Sequence, residues 1–216
     1  MAKKLAGIDT VIFDANGTLV YNPDEFLLES HGRIFRSLGY PEPDLETCRE
    51  LWWSHRRFKI VEERFGIPFD VYYPKFKVVM DDGEIRRTTS KPYPDNIALD
   101  ALAEARIKMA ILTNAPPQVA QVEAPIVSPH FNGNVFSSHE YAGFRPKPDP
   151  NSVYHVLKTL HAKKAILVGN GDEDMQVAIN AGIVPVRMDR GEHPYTNQGE
   201  KYLVRNFHEL VDLLGL

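Results

Sequence analysis

With 216 residues, 43% of them hydrophobic and 25% charged, the chain has the composition of an ordinary globular protein, able to bury a core without disulfides. Its net charge of −4 excludes an overall basic nucleic-acid binder, and its single cysteine, Cys48, excludes an internal disulfide or a cysteine-rich zinc centre. No apolar run approaches a membrane span or a signal-peptide core, so a cytoplasmic protein of one large domain or two unequal ones is expected, with no membrane partner.

Thr10-Val11-Ile12-Phe13 reads as a buried strand followed by the turn-forming pair Asn16-Gly17. Residues 21–89 hold no convincing strand. Leu27, Ile34, Phe35 and Leu38 share one helical face, a second helical stretch runs from Leu45 to Glu63, and a third from Asp70 to Met80. Proline and turn residues at Tyr21-Asn22-Pro23 and at Lys91-Pro92-Tyr93-Pro94 mark the hinges of this helical segment. Beyond it, Ala98, Ala101, Leu102 and Ala105 predict a helix capped by Asp95, and Lys108–Thr113 and Asn134–Ser137 predict strands. Val153, Val156, Leu157 and Leu160 predict a helix with Asp149 as cap and Pro150 at its first position. Ala165–Gly169 is a further strand. The stripe Met175, Ala178, Ile179 then predicts a helix closed by Gly182. Val184–Arg187 and Tyr202–Val204 are weaker strands, and Pro185 predicts an edge or an end for the first. Strand and helix in alternation predict an α/β fold: a Rossmann-like parallel sheet with helices on both faces, residues 1–20 and 90–216, carrying an α-helical domain at 21–89.

Ligands in such sheets bind beyond the carboxyl ends of the strands. Four polar clusters stand there in order: Asp14-Ala15-Asn16-Gly17-Thr18, Thr113-Asn114, Phe144-Arg145-Pro146-Lys147-Pro148-Asp149-Pro150, and Gly169-Asn170-Gly171-Asp172-Glu173-Asp174. Each alone has a plainer reading: a β-turn, a helix cap, one solvated lysine, and first-turn acids with Asp172 as N-cap. Four together at one sheet edge point to a site.

In these motifs the chain resembles the haloacid dehalogenase-like hydrolases. Phe13–Leu19 matches the nucleophile motif and Ile111–Asn114 the second motif. Lys147-Pro148-Asp149-Pro150 matches the lysine motif, and Val168–Asp174 with Ala178 and Ala181-Gly182 the acidic metal motif. The resemblance implies that 21–89 is a mobile cap and that a small phosphorylated metabolite is hydrolysed through an aspartyl-phosphate. It implies Asp14 as nucleophile, Thr113 donating a hydrogen bond to a phosphoryl oxygen and Lys147 neutralising it, with Gly17, Thr18 and Asn114 in the phosphate-binding surroundings. It also implies Mg²⁺ as cofactor, held by Asp14, the backbone carbonyl of Asn16 and Asn170, with Asp174 behind them.

Two residues depart from the family's phosphatases. Asn16 stands where a second aspartate protonates the leaving group, and Asn170 where an aspartate binds metal. An amide orients but does not carry a proton at neutral pH, and the loss of such help costs about 10²–10⁴ in rate. The expectation is a slow phosphatase. Alternatives are a non-catalytic phosphate- or partner-binding relative and a 2-haloacid dehalogenase, a branch in which the position two after the nucleophile is not aspartate. Both asparagines precede glycine, which makes deamidation in aged material another expectation. Within the helical segment, Trp52-Trp53-Ser54-His55-Arg56-Arg57-Phe58-Lys59 interleaves aromatic and basic residues. An amphipathic helix is the expected reading rather than a nucleic-acid surface. One of Arg56, Arg57 or Lys59 is expected to contact the substrate's anionic remainder.

Overall fold

A computed structural model describes residues 4–54, 56–131, 133–139, 145–192 and 194–216. By its contacts the chain forms two compact units, one of Met1–Tyr21 with Lys91–Leu216, the other of Asn22–Ser90.

The first unit is organised by apolar runs too short for helices and buried on both faces. Strands β1 (Thr10–Phe13), β4 (Lys108–Thr113), β5 (Val135–Ser137), β6 (Ala165–Gly169), β7 (Val184–Met188) and β8 (Tyr202–Val204) form one sheet in the order β5-β4-β1-β6-β7-β8. Every pairing in it is parallel. A parallel sheet needs helical crossovers on its faces, and alternation along the strands sorts the core accordingly. Val11, Phe13, Met109, Ile111, Ile166 and Val168 pack on one side with Leu99, Leu102, Phe207 and Leu210. Ile12, Ala110, Leu112 and Leu167 face the other side, with Val153, Val156, Met175 and Ala178. The helices supplying these residues are α6 (Leu99–Glu104), α8 (Asn151–Thr159), α9 (Asp172–Asn180) and α10 (Phe207–Leu214). A further helix, α7 (Pro117–Val127), follows β4. Val20–Tyr21 (β2) and Lys91–Pro92 (β3) pair antiparallel as a small ribbon, at residues read from the sequence as turns.

Several local expectations are corrected. Asp95 does not cap a helix: a 3₁₀ turn over Pro94–Ala98 precedes α6, and the Asp95 carboxylate accepts from Arg190 and from the Phe207 backbone N–H. Pro150, not Asp149, occupies the N-cap of α8, although Asp149 still accepts from the Asn151 N–H at 3.0 Å. Asp172 is the first residue of α9, and Gly171 is its cap. Ile179 is exposed, and Val177 takes its place in the buried stripe. Gly182, at φ 74°, does follow that helix in the left-handed conformation. Pro185 lies in an interior strand, at its second residue, so the missing N–H falls near the start of the ladder rather than at a sheet edge.

The second unit consists of α1 (Asp24–Ser37), α2 (Leu45–Trp53), α3 (Arg57–Phe65), α4 (Phe69–Met80) and α5 (Gly83–Thr89). Phe26, Leu27, Ile34, Phe35, Cys48, Leu51, Val61, Ile67, Tyr72 and Met80 form its core. The stretch expected as one helix from Leu45 to Glu63 is two, because the backbone turns extended at Ser54. Arg57 satisfies carbonyls that the break exposes, donating to Ser54 O at 3.2 Å and Trp52 O at 3.0 Å. His31 is fully buried on α1, its Nδ1 3.5 Å from the Tyr72 hydroxyl.

Candidate active site

The carboxyl ends of β1, β4 and β6 deliver the polar residues. Phe13 is anchored edge-on against Phe131 and Phe207, with ring centroids 5.8 and 5.6 Å away. Beyond it the Asp14 N–H still donates to Val168 O at 2.9 Å, so the nucleophile candidate is held at the end of β1 by the neighbouring strand. The chain then turns through Gly17, whose φ of 78° favours glycine. A Cβ there would lie 2.1 Å from Asn170 Nδ2. Glycine is thus needed for two reasons, and its bareness lets the loop after β1 meet the loop after β6.

Lys147 sits at the centre. Its side chain is 2% exposed, and its Nζ donates to Asp14 Oδ1 at 2.6 Å, Asp174 Oδ1 at 2.5 Å and Leu112 O at 3.0 Å. All three ammonium protons therefore have acceptors. Asn114 brackets the lysine's backbone, accepting from Lys147 N at 2.8 Å and donating to Lys147 O at 3.4 Å, and it also accepts from Ser138 Oγ. Its side chain thereby holds the lysine segment. Asp174 is fixed from behind by the Gly171 N–H at 2.9 Å, and a Cβ on Gly169 would fall 2.5 Å from its carboxyl carbon. Thr18 Oγ1 donates to Asn170 Oδ1 at 3.3 Å, and Thr113 Oγ1 accepts from Ala115 N at 3.0 Å.

One ammonium between two carboxylates leaves the buried cluster with an excess negative charge. Burial, and then the neighbouring Asp174, raise the proton affinity of Asp14 above that of an ordinary carboxylate, against the pull of Lys147. For Lys147, burial favours the neutral form, but Asp14 and Asp174 outweigh it and hold the ammonium charged above its usual range.

Among the described residues no three His, Cys, Asp or Glu side chains converge as a metal cluster. The expected ligands, Asp14, Asn170 and the Asn16 carbonyl, offer oxygen atoms, the ligand type of a hard divalent cation. One of them is a neutral amide, so the set fits such a cation with less charge than two carboxylates would supply.

Two residues near the site were not singled out from the sequence. Glu123, 1% exposed on α7, accepts from Asn16 Nδ2 on both carboxylate oxygens, at 3.1 and 3.0 Å. An acid among the buried Val119, Ala120, Ala124 and Val127 was a legible signal. Arg187, fully buried on β7, donates to Asn170 O at 2.8 Å, Asp172 Oδ1 at 3.1 Å and Glu200 Oε1 at 2.9 Å, fixing the loop after β6. In the second unit, Arg56 and Lys59 are exposed and lie near Glu63 at 3.7 and 3.4 Å, while Arg57 braces α2. The helix break at Ser54 places the tryptophans and the basic residues on different helices. Phe144 and His55, each part of a sequence cluster above, lie outside the described residues.

The protein is thus an α/β protein with an all-parallel sheet and a lysine–dicarboxylate cluster at the carboxyl ends of its central strands. The family model of the haloacid dehalogenase-like hydrolases matches residues 8–182, and the chain belongs to that family. Among solved structures it is similar to a predicted phosphoglycolate phosphatase from Haemophilus somnus 129PT, with a TM-score of 0.76, 18% identity, and 95% of this chain and 97% of that one covered. A HAD-superfamily hydrolase of subfamily IA, variant 1, from Geobacter sulfurreducens shares 22% identity at a TM-score of 0.71, covering 96% and 97%. A HAD family hydrolase from Deinococcus radiodurans R1, with bound phosphate and sodium, aligns at a TM-score of 0.70 and 16% identity over 96% and 95%. No curated protein sequence matches the chain. No described helix is long and apolar enough to cross a membrane.

Proposed function

We propose that this hydrolase is a Mg²⁺-dependent phosphatase of a small phosphorylated metabolite, working through an aspartyl-phosphate on Asp14. The observation that carries the reading is the contact of Lys147 with both Asp14 and Asp174 at the strand ends. It sets a buried carboxylate beside a fixed cation, as attack on a charged phosphoryl group requires. An Asp14 oxygen attacks phosphorus, the bond to the leaving oxygen breaks, and that oxygen keeps the electron pair. Water then attacks the aspartyl-phosphate, releasing inorganic phosphate and restoring the carboxylate. Lys147 neutralises a phosphoryl oxygen, and Thr113, whose Oγ1 already accepts from Ala115 N, donates its hydroxyl proton to another. Gly17, Thr18 and Asn114 shape the phosphate-binding surroundings. Asp14, the Asn16 carbonyl and Asn170 would hold the cation, with Asp174 in support; the ion supplies charge neutralisation for the phosphoryl group.

Residues 21–89 act in this reading as the mobile cap, with Arg56, Arg57 or Lys59 meeting the remainder of the substrate. Small-molecule metabolism in the cytoplasm is the setting the composition suits.

The test is phosphate release from a panel of phosphorylated metabolites with and without Mg²⁺, beside Asp14→Ala. Turnover lost in that variant, with phosphate trapped on Asp14 by mass spectrometry, is the expected result. Chloride release from 2-haloacids instead would establish the dehalogenase. Phosphate binding without turnover would establish the non-catalytic relative, a reading favoured by the amides at positions 16 and 170.

A further inference from the structure

Asn16 is not simply an aspartate lost. Its amide nitrogen is directed at Glu123, and both oxygens of that buried carboxylate accept from it. An amide is the complement of a carboxylate, and an aspartate in its place would set like charges about 3 Å apart. The residue at 16 and the acid on α7 are therefore matched. With its nitrogen held on Glu123, the amide's carbonyl is turned away from that carboxylate, so Asn16 is fixed two residues after the nucleophile as a group that carries no proton.

We propose that Glu123 is a positioning residue that locks Asn16 in this state and so sets the substrate class. The site takes phosphoryl donors whose leaving group departs as an anion, namely acyl phosphates, aryl phosphates and phosphoanhydrides, in preference to alkyl phosphate monoesters. The inference rests on the phosphatase reading above. When Asp14 displaces an acyl or aryl oxygen, that oxygen leaves with the bonding electron pair and needs no proton. An alkoxide leaving in the same way is too basic, and neither Asn16 nor a Glu123 held behind it supplies the proton. In the second step water forms the new bond to phosphorus as the bond from the Asp14 oxygen to phosphorus breaks. Asp14 keeps that electron pair as a carboxylate, and the water's proton stays on the phosphate released.

The experiment compares acetyl phosphate, p-nitrophenyl phosphate and glycerol 3-phosphate with saturating Mg²⁺, for the natural chain, E123Q, N16D and N16D/E123Q. The natural chain should favour the acyl and aryl donors by about 10²–10⁴ in kcat/KM over the alkyl one, the scale of general acid–base help, because kcat/KM reports the phosphorylation step in which the leaving group departs. The double variant should close that gap by raising alkyl turnover by a similar factor, because an acid at 16 then faces an amide. N16D alone should gain at least about tenfold less than the double, the equivalent of some 1.4 kcal/mol of unfavourable pairing. E123Q should lower kcat at unchanged KM while keeping the donor preference. Equal kcat/KM for glycerol 3-phosphate and p-nitrophenyl phosphate in the natural chain overturns the proposal and leaves the phosphatase reading standing. So does N16D performing as well as the double variant. Failure of acetyl phosphate to phosphorylate Asp14, with no turnover of any donor, removes both. The donor series on the natural chain needs no variant, so a variant that does not fold leaves the test intact.

Discussion

Lys147→Met removes the cation from the centre of the site while nearly conserving side-chain length. Asp14 and Asp174 contact the same Nζ at 2.6 and 2.5 Å, so the two contacting oxygens lie no more than about 5 Å apart. At that separation two carboxylates repel by about 3 kcal/mol at an effective dielectric constant near 20. Stranding buried charges by removing their partner costs about 3–5 kcal/mol where it has been measured, so the two estimates agree. For a unit of this size the loss corresponds to a fall of roughly 6–12 °C in melting temperature. Thermal unfolding at pH 8 without divalent cation measures it. Because the penalty is electrostatic, Lys147→Met/Asp174→Asn should recover at least half of the loss, and Mg²⁺ should stabilise Lys147→Met more than the natural chain. A change below about 1 kcal/mol in Lys147→Met, the size of an exposed ion pair, would refute the picture of a closed lysine–dicarboxylate cluster. So would a double variant less stable than the single one.

Three further outcomes are expected. His31 has its proton affinity pushed down to about 3, first by burial and then by the Arg57 charge. The unfolded chain therefore binds this proton and the folded one does not. The stability from the neutral ring is present above about pH 6.5 and lost as pH falls towards 3, amounting to about 2 kcal/mol at pH 5 relative to pH 8. Denaturant unfolding of the natural chain and His31→Gln at both pH values tests this, and parallel slopes would count against it. Arg187→Met leaves Glu200, Asp172 and the Asn170 carbonyl without their shared donor, and should cost about 3–5 kcal/mol in urea unfolding; a loss under 1 kcal/mol would show that the loop after β6 holds itself. Deamidation at Asn16 and Asn170 should be about tenfold or more slower in the folded chain than in urea, because the Gly17 and Gly171 nitrogens that would attack are engaged by Val20 O and Asp174 Oδ2. Peptide mass spectrometry of aged samples measures both rates, and equal rates would show these contacts to be open in solution.

The strands of the sheet were legible because a buried parallel strand needs a short, mainly apolar run, and Thr10–Phe13, Lys108–Thr113 and Ala165–Gly169 are such runs with matching boundaries. The family was legible for a related reason: chemistry at strand ends requires particular residues at particular spacings, and Asp14, Thr113, Lys147 and Asp174 keep them. Helix limits were less so. The break at Ser54 and the displaced caps of α6 and α8 depend on which hydrogen-bond partners other segments bring, as when Arg190 and the Phe207 N–H claim Asp95.

Sequence alone also showed that Asn16 and Asn170 depart from the family pattern, and charge arithmetic read both as losses. The meaning of the first was decided by tertiary structure. Glu123 lies 107 positions from Asn16 along the chain, and no local pattern brings them together; only packing α7 against the loop after β1 does so. Arg187 is likewise 17 residues from the Asn170 carbonyl it holds. Spacing along the chain specifies which groups a strand end can present, because the backbone itself carries that information. Which charge answers which is set by contacts across the fold, and those exist only once the chain has closed on itself.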